Sequence, residues 1–116
     1  MTAKRYLFIC SLALLFFIPK TYAQGSPDVY KSQADAEVQA AIQLQEEAGQ
    51  LLKVGITTER MRLAMNLYLR AGQMFEKAAN VYKSLGPDYA SPDDVKNSLA
   101  AMDHCIKMIG EIKKRL

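Results

Sequence analysis

Residues 57–87 read TTERMRLAMNLYLRAGQMFEKAANVYKSLGP. A threonine at 57 or 58 can cap a helix start, and Gly86-Pro87 stops it, so the spacing predicts a helix over 58–85. At about 100° per residue, Met61, Tyr68, Phe75 and Tyr82 line one edge of its apolar surface. Leu63, Leu67, Met74 and Val81 lie about 80–120° around from Phe75, with Met65 on the far edge. The apolar arc covers roughly 200°, too wide for one neighbouring helix. This helix should therefore contact two others.

The flanking sequence supplies both. Upstream, Ser26-Pro27-Asp28 offers a cap, a proline suited to the first turn and an acid for the positive helix end. Tyr30, Ala34, Val38, Ala41, Leu44, Ala48 and Leu52 then form one stripe, with Lys31, Asp35, Gln39, Gln43, Glu46 and Gln50 opposite, until Gly55. Downstream, Ser91-Pro92-Asp93-Asp94 starts a third helix as a capping box. Its stripe is Val95, Leu99, Met102, Ile106, Ile109 and Leu116, and Lys113, Lys114 and Arg115 suit its negative end. The helices span about 27–54, 58–85 and 92–115, and no strand alternation is present. Connections as short as GITT and GPDYAS force antiparallel neighbours. The expected fold is all-α, an up-down-up antiparallel three-helix bundle.

Small residues refine that expectation. Ala34, Ala41, Ala48 and Gly55 recur every seven residues, and so do Ala64, Ala71 and Ala78. Matched series of this kind let the first two helices approach below the usual 8–10 Å. They bury little apolar area per residue, so the core is thin and further association would help it.

The N-terminus has a separate fate. Lys4-Arg5 precede Leu7–Ile18, an apolar run with Ser11 as its one polar residue, and Thr21-Tyr22-Ala23 follow. This is the pattern of a secretory signal peptide, residues 1–23, cleaved after Ala23. The run reaches only about 18 Å as a helix, against a hydrocarbon core of roughly 30 Å, so stable membrane insertion is not expected. Cys10 leaves with the signal, because Phe8-Ile9 do not provide a lipoprotein site. The expected location is periplasmic or extracellular.

Cleavage changes the charge. The whole chain has 15 Lys+Arg and 12 Asp+Glu, formally +3. Lys4, Arg5 and Lys20 belong to the signal, which leaves 12 basic and 12 acidic groups in residues 24–116. A neutral domain lacks the basic field of a nucleic-acid binder. Its single cysteine, Cys105, can form no internal disulfide.

The segment AGQMFEKAANVYKSLGP resembles the second helix of a tetratricopeptide hairpin through Ala71, Phe75 and Ala78. Such a resemblance implies peptide or protein binding on a helical surface. It spans one helix of three. Upstream, the positions of the first-helix signature hold Gly55, Thr58, Glu59 and Arg62, so the chain is not assigned to that family.

Reactive groups are few. Asp103-His104-Cys105 puts acid, base and nucleophile side by side, yet successive helical side chains diverge by about 100° and form no relay. Relative to Met102, His104 should face solvent and Cys105 should sit at the core margin. Methionine offers a soft-metal alternative, with His104, Met108 and Met74 as copper(I) ligands. Core filling explains those methionines better. No cofactor motif is present, and the chain reads as a non-enzymatic interaction module. Its expected contact residues are Leu69, flanked by Arg62, Gln73 and Glu76, and Met108. A metal or small-ligand carrier and a self-associating structural bundle are the alternatives.

Overall fold

The computed structural model describes residues 26–116. It contains three helices, α1 (Pro27–Val54), α2 (Thr58–Leu85) and α3 (Pro92–Arg115), and no strand among the described residues. The expected signal segment, residues 1–23, lies outside the described residues.

Local chemistry sets the helix ends. The Thr57 hydroxyl accepts from Arg60 N–H at 3.1 Å. At α3 the Ser91 hydroxyl accepts from Asp93 N–H at 3.1 Å, while Ser91 N–H donates to the Asp94 carboxylate at 3.0 Å. Ser26 is extended, but its side chain makes no cap bond. There Pro27 and Asp28 carry the start of α1 without the expected serine bond. Gly86 closes α2 at φ 80°, a left-handed conformation that favours glycine.

Helix α2 is the centre of the bundle. It packs along both neighbours, whereas the backbones of α1 and α3 scarcely approach each other. The α1–α2 seam is the alanine series. Ala34 clusters with Ala78, and Ala41 and Ala48 cluster with Ala64 and Ala71. All six are essentially inaccessible to solvent. With these partners, an antiparallel register sets Ala34 level with Ala78, Ala41 with Ala71, and Ala48 with Ala64. Met61, Tyr68, Phe75 and Tyr82, all buried, fill the interior edge of α2.

The α2–α3 seam differs from expectation. Buried on α3 are Ser98, Cys105 and Ile112, another seven-residue series, and not the stripe centred on Met102. Ile106 is 57% exposed and Leu116 51%. Facing this series on α2 are Gly72 and Ala79, both buried. A Cβ added to Gly72 would stand 3.4 Å from Cys105 Cβ, so the two helices nearly touch there. The physical reason is volume. Gly72 and Ala79 offer a shallow groove into which a thiol and a hydroxymethyl group fit, while Met102 and Ile109 pack partly buried against the core from its flank. Cys105 is thus fully buried, not marginal.

One residue expected in the core also lies outside. Leu63 is 48% exposed, because the two neighbours of α2 cover less than its full apolar arc.

Candidate interaction surface

Among the described residues, side-chain polar contacts between helices include one at an end of the bundle, one in mid-bundle and the Lys77–Glu37 ion pair at 3.3 Å. At one end of the bundle the Tyr82 hydroxyl donates a hydrogen bond to Asp35 on α1. Lys31 pairs with the other Asp35 oxygen at 3.1 Å. The Tyr82 hydrogen bond, followed by that from Lys31, holds the Asp35 carboxyl below its ordinary value against the opposing effect of burial. Burial, then the neighbouring Asp35, pushes the Tyr82 phenol far up. The helical pattern puts Asp35 on the polar side of α1, and its partner Tyr82 stands 47 residues away in the chain.

These shifts set the pH response. A carboxyl depressed by folding adds stability that is complete above its unfolded value, near 3.8, and lost as pH falls through the folded one. A raised phenol adds stability present below its unfolded value, near 10.0, and lost as pH rises through the folded one. Melting temperature should therefore fall below pH 4 and above pH 10. Tyr82→Phe should weaken both limbs. A Tyr82→Phe protein melting with the wild-type pH profile would show that this contact contributes nothing.

In mid-bundle, Gln45 Nε2 on α1 donates to Cys105 Sγ at 3.2 Å, bridging the outer helices where their backbones stay apart. Burial raises the thiol, opposed by the Gln45 hydrogen bond, so Cys105 stays protonated at neutral pH. Asp103 and His104 are exposed while Cys105 is buried, so the three do not converge. A thiol reagent should label Cys105 slowly in the native protein and within seconds after denaturation. Native labelling at the denatured rate would place Cys105 at the surface.

The soft-metal trio is dispersed as well. His104 is exposed, and Met74 and Met108 pack partly buried against the core. Met74 stands two residues beyond Gly72, about 160° around α2 from the α3 seam, and so points away from His104. Among the described residues no group of three or more His, Cys, Asp or Glu side chains is placed to hold a metal.

An apolar surface is what remains. Leu69 is 50% exposed, and Arg62, Gln73 and Glu76 around it are exposed too. It precedes Gly72 by three residues, about 60° further from the alanine seam, on the side away from α1. Because α1 meets α2 about 100° from Gly72 and neighbouring helices are antiparallel, the right-handed sense of each helix turns Asp94, Ala101 and Met108 of α3 toward α1. Met102, Ile106 and Ile109 lie across Cys105 from that series. The Gly72–Cys105 register then sets Leu69 and Ile106 within one turn of each other along the bundle, on its outer side. Ile106 went unrecognised because its apolar periodicity reads as core. Met108, partly buried, lies on the α1 side and does not join Leu69.

Comparison of the chain with protein-family models, with curated proteins and with solved structures finds no match. Among the described residues no helix is long and apolar enough to cross a membrane.

Proposed function

We propose that this protein is a small exported module that binds another protein through its helical surface, as an inhibitor, an immunity factor or an accessory subunit does. The observation that carries the proposal is the exposed apolar centre at Leu69 and Ile106, ringed by Arg62, Gln73 and Glu76. An apolar centre inside a polar rim is the arrangement that excludes water from a protein contact. The residues expected at that centre were Leu69 and Met108; the outer surface favours Leu69 with Ile106, and Met108 contributes at most a flank. A non-enzymatic role accords with a buried, protonated Cys105 set apart from His104. Export rests on the sequence of residues 1–23.

Capture from the secreted or envelope fraction tests the proposal, with the bound species identified by mass spectrometry. Leu69→Asp should leave the melting temperature within about 1 °C, as surface changes do, and abolish capture. Retention of the partner by the Leu69→Asp protein would remove Leu69 from the interface. The same spectra should show an N-terminus at Gln24, and an intact Met1 in the exported fraction would overturn the processing.

A further inference from the structure

We propose that the α1–α2 face turned away from α3 is a homodimer interface, distinct from the surface around Leu69. Three observations support it. The first is an unfilled apolar groove. Leu51 and Val54 of α1 and Leu67 of α2 line it, with Glu46, Glu47 and Arg60 at its edge. Val54 is 71% exposed and Ile56 58%, and Leu63 continues the apolar surface at the same end. Leu63 stands nine residues from Gly72, half a turn around α2, so α3 cannot cover it.

The second observation is charge. Glu46 and Glu47 of α1 and Arg60 of α2 line the groove, and over their whole circumference α1 carries five acidic and two basic side chains, a net −3, and α2 two acidic and five basic, a net +3. A face with one negative and one positive helix complements itself under a two-fold axis parallel to the helices, which lays α1 of each copy over α2 of the other. A two-fold axis across the helices would lay α1 on α1 and repel. The third is size. Two 28-residue helices, each about 42 Å long and packed side by side, present roughly 800 Å², the contribution of one partner to a stable interface. The alanine seam buries little apolar area, so covering this groove adds what the monomer core lacks.

Sedimentation equilibrium of the purified protein tests the proposal. The wild type should dimerise with a dissociation constant in the micromolar range or below, weakening as salt is raised. Leu63→Asp should weaken association at least about 100-fold with helical content retained, since two-fold symmetry doubles every change. Glu47→Lys and Arg70→Glu should each weaken it alone, and an equimolar mixture of the two should dimerise again, because only the mixed pair restores opposite charges at both contacts. A monomer up to about 1 mM, association unchanged by Leu63→Asp, or a mixture no tighter than its components would overturn the interface. Leu69→Asp should leave dimerisation intact. A monomeric wild type that still captures its partner through Leu69 would overturn the dimer alone, and a dimer that captures nothing would overturn the functional proposal alone.

Discussion

Phe75→Ala should destabilise the protein by about 3–5 kcal/mol and lower its melting temperature by roughly 15 °C or more. Phe75 is 1% exposed and shares a core cluster with Ala41, Ala48, Ala64, Ala71, Tyr68 and Cys105. Its buried companions also include Met61 and Ile112, and half of the eight are alanines fixed by helix backbones in contact. They cannot move inward to fill the space a phenyl ring leaves, so most of the cavity persists, and the cost lies at the upper end of the range for such truncations. A domain of this size has a total stability of about 5–15 kcal/mol, so one ring is a large share of it. Thermal and urea unfolding monitored by circular dichroism check the expectation. A loss under about 1 kcal/mol would mean that the interior edge of α2 is not the centre of the core.

Ala71→Leu attacks the same core from the opposite direction. Ala71 and Ala41 are each fully buried at the level where α1 and α2 are in register. A leucine there adds three carbons at a point with no groove to receive them. The helices must separate along the seam, or the leucine must adopt a strained rotamer, at a cost of about 1–3 kcal/mol. Ala36→Leu is the control. Ala36 is exposed on α1, and leucine there is a good helix former, so the melting temperature should stay within about 2 °C. Equal melting of the Ala71→Leu and Ala36→Leu proteins would show that the alanine series are not apposed.

The two expectations treat the core differently, and the difference separates a thin core from a loose one. A loosely packed interior would tolerate the leucine, and would lose little when the phenyl ring is removed. Close-packed alanine seams around the Phe75 ring should reject both changes.

The helix ends were legible in the chain because they depend on neighbours in sequence. Ser91-Pro92-Asp93-Asp94 caps α3 and Gly86-Pro87 ends α2 by steric and hydrogen-bond rules acting within a few residues. The alanine series of α1 and α2 were legible as well, since a seven-residue spacing on both helices names a shared face. The exposure of Leu69 follows from its polar neighbours on the wheel.

The rotation of α3 was decided by tertiary structure. Ranked by hydrophobicity, Met102 and Ile106 outweigh Ser98 and Cys105, and the wheel turns the larger side chains inward. Closest approach is governed by missing volume instead: Gly72 and Ala79 on α2 admit Cys105 and Ser98, and the larger residues take the flanks. The Tyr82–Asp35 contact, the Gln45–Cys105 bridge and the exposure of Leu63 follow from how three finished helices lie against one another. A hydrophobic pattern fixes which sides of a helix can be buried. Which one is buried depends on the shape of the helix it meets.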